Sequence, residues 1–364
     1  MCGVKAMLRD DSAERAAEPP PPAPSADNRA SFMIAAIAVL AMLAVTGVVL
    51  AVRSVGDADD SRAARGYQGE IDATESFRAV AFDPDGTWLF AATGSSVEVR
   101  HPVTHRRDGA VFAVGAPVSA MAISPDGRRL VTVSDDNAIR VWDVATRQPV
   151  GEPLVADGLR RAFSIAISSD GTLLAAAGDG GTALWNLAGR EFVGLLAGIN
   201  GSHSSVAFSP DGSRIATGDT GGGTVTLWNT KTRQPDGEAL VAHDPGAPIN
   251  ALAFDHSGTL LADGSGDFIA NVWNLVTREH TQFTGNELQP IHSVILSDDG
   301  RTLITASLNA VRIYDVPGVA QVGQVFVKDG SDDCWDVALS PNGDTLAVIR
   351  DHRIQFWSLA AARK

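Results

Sequence analysis

One short turn sequence returns seven times along this chain, and that recurrence limits its architecture more than any other feature. It reads AFDPDG ending at Gly86, AISPDG at Gly127, AISSDG at Gly171 and AFSPDG at Gly212. AFDHSG at Gly258, ILSDDG at Gly300 and ALSPNG at Gly343 complete the set, with spacings of 41, 44, 41, 46, 42 and 43 residues. A period in that range marks stacked units that cannot bury an apolar face alone. Each copy follows an alternating run such as VSAMAIS and precedes another such as RLVTVS, the two-residue period of a half-buried strand. Pro, Asp or Asn followed by Gly is what a tight antiparallel connection needs, because Gly supplies the positive φ. A third run ends in an aromatic 14 to 16 residues after the turn glycine, at Trp142, Trp185, Trp228, Trp273, Tyr314 and Trp357. A fourth, more polar run such as QPVGEPLV follows. Four short strands per repeat, arranged about an axis, form the blade of a β-propeller. The sequence predicts an all-β, seven-bladed propeller over residues 66–360.

IRVWD, TALWN, VTLWN, ANVWN, VRIYD and IQFWS, set on this period, resemble the WD-repeat family over about 290 of the 364 residues. The first copy departs from it, with Arg100 and His101 where the others carry the aromatic and its neighbour. The Gly-His pair common in that family is nearly missing, and AHD around His243 comes nearest to it. Six residues before the aromatic stand Asp136, Asp179, Asp267 and Asp351. The resemblance implies that an Asp there joins a network with His, with Ser or Thr, and with the Trp indole. In the fifth blade it names His243, Ser265, Asp267 and Trp273, with Trp142, Trp185, Trp228 and Trp357 as the corresponding aromatics elsewhere. Such carboxylates are structural rather than reactive, because buried polar groups require partners. Only seven residues follow Trp357, too few for a fourth strand, and GYQGEID (66–72) could supply it and close the ring.

Ahead of the repeats the chain changes character. Residues 32–52 read FMIAAIAVLAMLAVTGVVLAV, twenty-one residues of which eleven are Phe, Ile, Leu or Val. At about 1.5 Å per residue that run reaches about 31 Å, the depth of a bilayer core. It is too long for the apolar core of a cleaved signal peptide, so one uncleaved transmembrane helix is expected. Residues 1–31, with EPPPPAPSADN, are expected to be a disordered proline-rich tail, and 53–65 a linker. Basic residues before the apolar run exceed those after it by one (Lys5, Arg9, Arg15 and Arg29 against Arg53, Arg62 and Arg65). The positive-inside rule then leans toward an extracytoplasmic propeller on a single-pass anchor.

Motifs of chemistry are thin. TGDTGGGTVTLW (217–228) holds four glycines and a DTG, but a phosphate loop needs a Lys and a following helix. An acid protease needs two such carboxylates sharing a proton. The string aligns with the second-to-third strand connection of its sister repeats, with Gly222 at the Asp position, and is expected to be an enlarged hairpin tip. A net charge of −14 argues against nucleic acid as partner. Cys2 and Cys334 make neither a disulfide framework nor a metal site, and His203 and His292 fall on innermost strands as filler. Neither catalytic residues, nor a cofactor, nor a metal are expected. The best reading is a membrane-tethered scaffold, a monomeric propeller that binds protein or peptide partners. A propeller hydrolase or quinoprotein-like enzyme, or a cell-envelope binding protein, are the alternatives. Four lysines among 29 basic residues suggest a GC-rich bacterial genome.

Overall fold

The computed structural model describes residues 66–196, 201–284, 289–308, 310–327 and 334–362. The expected tail, transmembrane segment and linker (1–31, 32–52 and 53–65) lie outside the described residues. No helix among the described residues is long and apolar enough to cross a membrane.

Seven antiparallel sheets follow one another in chain order. In each, the first strand precedes the repeated turn, the second follows it, and the third carries the aromatic. Blade 5 shows the plan with strands Ile249–Phe254, Leu260–Ser265, Ala270–Asn274 and His280–Phe283. Blade 2 is the thinnest. Its fourth run touches the third strand only through the bridges Ile139–Leu154 and Trp142–Pro149, and a proline is tolerated there because the edge needs no further donor. Blade 7 is made from both ends of the propeller: Cys334–Leu339, Thr345–Arg350 and Arg353–Ser358, with Tyr67–Asp72 as its outer strand. One helical turn, Leu359–Ala362, ends the fold.

The core lies between the blades, one apolar cluster to each of the seven seams. Trp142 closes the cluster that also holds Phe90 and Phe112 of blade 1, and Trp185 closes the one between blades 2 and 3. Trp228, Trp273, Tyr314 and Trp357 repeat this at the next four seams. At the seam of blades 7 and 1, where no tryptophan is available, Phe77 and Phe356 fill the space with Ile71 and Ile354. Burying so many large rings at about 1.5–3 kcal/mol each is the main drive for stacking the blades.

A second device fastens neighbours at the rim. Five residues after each of four tryptophans comes an arginine in the left-handed region: Arg147, Arg190, Arg233 and Arg278, with φ of 57 to 63°. Each guanidinium lies over a glycine of the preceding blade, at Gly109, Gly151, Gly194 and Gly237. Arg233 donates to the Val193 carbonyl at 2.7 Å, and Arg147 pairs with Asp108 at 2.6 Å. In blade 1 the same turn presents His105, which stacks on Phe356 at 5.1 Å over Gly69. A Cβ on these glycines would collide with the latching side chain.

Candidate functional site

Every first strand carries the same irregularity. Its pairing with the second strand slips between its first and third positions, at Phe77/Ala79, Val118/Ala120, His203/Ser205, Ile249/Ala251 and Ile291/Ser293. Blade 3 slips around Phe163 and blade 7 between Cys334 and Val337. A bulge leaves one residue unpaired and re-aims its side chain. Repeated around an axis, it places Arg78, Ser119, Phe163, Ser204, Asn250 and His292 at one end of the central channel. Glycine supports the bulge where space is short: a Cβ on Gly218 would lie 2.4 Å from Ser205 Oγ, and one on Gly264 2.6 Å from Ile291.

At this channel mouth a cavity of about 480 Å³ is lined by Phe77, Arg78, Ser119, Asn250 and His292. Those residues come from blades 1, 2, 5 and 6, two pairs of neighbours that come together only at the axis. Arg78 pairs with Asp135 of blade 2 at 2.9 Å. The Asn250 amide donates to the Ile291 carbonyl at 2.9 Å, and Ser204 and Ser205 donate to the Ile249 carbonyl at 2.7 and 2.6 Å. One residue deeper stands Asp336, accepting from Val80 N at 3.2 Å and Val337 N at 2.9 Å. Burial pushes its pKa up to about 6, against the lowering effect of those amides and of Ser293. The mouth is thus a polar, rigidly hydrogen-bonded rim over a channel that holds a carboxylate.

The residues singled out in the sequence fall in the blades around this channel. In blade 5, buried His243 bridges two carboxylates: Nε2 donates to Asp263 at 2.7 Å and Nδ1 to Asp267 at 3.0 Å. Burial disfavours its charge, yet the two aspartates together hold its pKa above the ordinary histidine value. The Trp273 indole donates to Asp263 at 2.6 Å rather than to Ser265, whose Oγ accepts instead from Asp267 N at 3.4 Å. The reason is register. Leu261 faces Trp273 across the pair, so the side chain two residues on, Asp263, lies beneath the indole.

The same rule holds in two other blades. Trp142 donates to Thr132 at 3.0 Å and Trp228 to Thr217 at 2.8 Å. In blades 3 and 7 that place holds Ala176 and Val348, which offer no acceptor. Trp185 makes a long 3.4 Å bond to the Val155 carbonyl, and the buried Trp357 indole N–H has no partner among the described residues.

The four repeated aspartates divide into two pairs. Asp136 stays within its blade, held well below the usual carboxylate range first by Arg140 and then by Ser134, and Asp267 binds His243. Asp179 and Asp351 instead accept from serines leading into the following blade, Ser202 at 3.0 Å and Ser76 at 2.8 Å. Ser76 lies 3.5 Å from His352, but its proton goes to Asp351, which makes this a seam contact and not a nucleophile with its base. His203 sits in the seam of blades 3 and 4, 2.8 Å from Thr182, whereas His292 lines the mouth. The glycine-rich tip of blade 4 is better held than its composition suggests. Asp219 accepts from Gly221 N and Gly222 N at 2.7 and 2.9 Å, and Gly246 N donates to the Gly221 carbonyl at 2.9 Å. Among the described residues no group of three or more His, Cys, Asp or Glu is placed to hold a metal ion.

Comparison with known proteins agrees with this geometry. The family described as WD domain, G-beta repeat, matches residues 110–143, 195–229 and 237–274. These segments end on the third strands of blades 2, 4 and 5, the three in which the indole finds a side-chain acceptor. The chain is 33% identical over 98 residues to an uncharacterized WD repeat-containing protein of Synechocystis, covering 27% of this chain and 28% of that protein. It is 35% identical over 77 residues to mouse Mitogen-activated protein kinase-binding protein 1, covering 21% of this chain and 5% of the relative. It is 27% identical over 113 residues to the U3 small nucleolar RNA-associated protein 21 homolog of Schizosaccharomyces pombe, covering 31% and 12%. The chain therefore spans less than a third of the length of each of these relatives.

Proposed function

We propose that this protein is a membrane-tethered recognition module whose channel mouth binds a protein or peptide partner. The observation that carries the reading is the mouth cavity itself. Four blades contribute its lining side chains; bulges re-aim Arg78, Ser119, Asn250 and His292, and bonds to the next blade fix Arg78 and Asn250. Concave, largely preformed sites with a few placed polar groups are where ligands bind, and a propeller face offers such a site on a rigid scaffold. One relative is named for binding a kinase, which supports a partner of protein chemistry. The apolar run 32–52 supplies the tether in this reading, with the propeller on the extracytoplasmic side.

A photo-crosslinking residue at Ser119, exposed at the mouth, and another at Asp211, exposed at the opposite face, separate the two ends of the channel in full-length protein in its membrane. The mouth position is expected to capture a discrete partner, and Arg78→Glu to reduce that capture. Capture from Asp211 alone would overturn the reading. The tether has its own test. In a Cys2→Ser chain, where the remaining Cys334 is buried, an Asp211→Cys thiol is expected to react with an impermeant reagent in intact cells. Reaction only after lysis would place the propeller inside.

A further inference from the structure

We propose that the channel mouth selects partners presenting a lysine or arginine side chain, and that Asp336 is the specificity-determining residue that receives the cation. The inference rests on the reading of the mouth as the binding site and adds to it the chemistry of the bound group.

Seven positions before each turn glycine stands one residue of a ring of seven. Six of them are small and uncharged: Ala79, Ala120, Ser164, Ser205, Ala251 and Ser293. The seventh is Asp336. Its carboxylate faces the axis, since the Val80 N–H it accepts belongs to the inner edge of blade 1, where no further strand pairs. The donors that satisfy it are neutral: two backbone amides and the Ser293 hydroxyl. Among the described residues no ion pair involves it, and burial raises its pKa as expected for a carboxylate without a counter-charge.

The other charges on the surrounding strands do not compensate it. Arg78 on the first strand of blade 1 is committed to Asp135. Arg350 lies on the second strand of blade 7, buried opposite Cys334. His292 stands at the mouth on the first strand of blade 6. With Arg78 neutralised, Asp336 is the one unbalanced charge beneath the rim among the described groups. A metal ion would need more ligands than one carboxylate. A long cationic side chain fits better: its stem can cross the mouth cavity while its head reaches the carboxylate.

Capped pentapeptide pools with random flanks and a fixed central Lys, Arg, acetyl-lysine, norleucine or Glu test this on the full-length protein in detergent. At pH 7.5 the Lys or Arg pool is expected to be retained about tenfold over the acetyl-lysine and norleucine pools, a difference of one charge-assisted contact. Retention should fall about tenfold between pH 7 and pH 5, as the carboxylate titrating near 6 is neutralised. Asp336→Asn should abolish both the preference and the pH dependence, while its thermal unfolding shows that the propeller persists. Equal retention of lysine and acetyl-lysine, preference for the Glu pool, retention of no pool, or unchanged discrimination by Asp336→Asn would each overturn the inference. If Ser119 still crosslinks a partner while the pools show no preference, the mouth remains a binding site and only its cation selectivity is lost. If Ser119 captures nothing, the reading of the mouth fails first.

Discussion

Blades 5 and 7 bury the same ring in the same register and stabilise it by different means. Trp273 donates to Asp263, which also accepts from His243, so one carboxylate ties the third strand, the second strand and the incoming loop together. Trp357 is equally buried, at 3% exposure, but Val348 lies where the acceptor would be. What blade 7 has instead is an outer strand from the far end of the propeller sequence. Tyr67 meets Trp357 edge-on at 5.3 Å, and pairs run from there to Asp72–Arg353. The difference teaches that a ring of repeats does not need every blade to be internally complete. Stability is shared between each unit and its seams, and closure supplies to blade 7 what a polar network supplies to blade 5.

The sharpest break of that comparison is Ile71→Asp. Ile71 is 3% exposed in the cluster shared by blades 7 and 1, and an unpaired carboxylate there should cost about 3–5 kcal/mol. Calorimetry on the full-length chain should show one large fall in Tm, because opening the ring exposes the edges of two blades. If blade 7 stood on its own, the fall would be no larger than for an exposed position.

Blade 5 is broken through its carboxylate. Asp263→Ala leaves the Trp273 indole and His243 without their acceptor and should cost about 3 kcal/mol. Asp263→Asn keeps an acceptor but removes the charge, and so separates the hydrogen bond from the ion pair. The folded pKa of His243 is raised, so its ion pairs stabilise the protein fully below the unfolded histidine value of about 6.5. That contribution is lost as pH rises through the higher folded value. Unfolding measured from pH 5 to 9 should therefore show the gap between native protein and Asp263→Asn narrowing at the alkaline end. A gap constant with pH would mean that His243 stays neutral throughout.

The ring was legible in the sequence because its signals are local. A turn glycine and an aromatic 14 to 16 residues later give strand, turn and blade number without any knowledge of register. The closing strand was legible for a similar reason, as a count of residues left after Trp357. The indole acceptors were not, because Thr132, Thr217 and Asp263 are defined by strand pairing, and Ser265 carries an equally plausible hydroxyl two residues away. Counting back ten or eleven residues from each tryptophan would have found them. Counting five forward would have found the four latching arginines. The channel mouth left no such trace, since a bulge re-aims one side chain without disturbing the apolar alternation around it. Asp336 was invisible for the same reason, as one polar residue in CWDVAL.

The smallest expected effect tests the comparison from the opposite side. Val348→Thr gives blade 7 the acceptor that Thr132 gives blade 2, at a site where Leu346 faces Trp357 just as Leu130 faces Trp142. The two side chains are nearly isosteric, so the change trades a buried methyl for a hydroxyl beneath an indole N–H that has no partner among the described residues. Making that bond should gain about 1 kcal/mol, offset in part by the cost of burying the hydroxyl. The expected result is a rise in Tm of a few degrees at most, with Thr132→Val lowering it by a comparable amount. Combined with Ile71→Asp, the gain from Val348→Thr should persist if network and closure are independent, since separate terms add. Its disappearance in the opened ring would show that the closing strand is what holds Trp357 in register to use the bond.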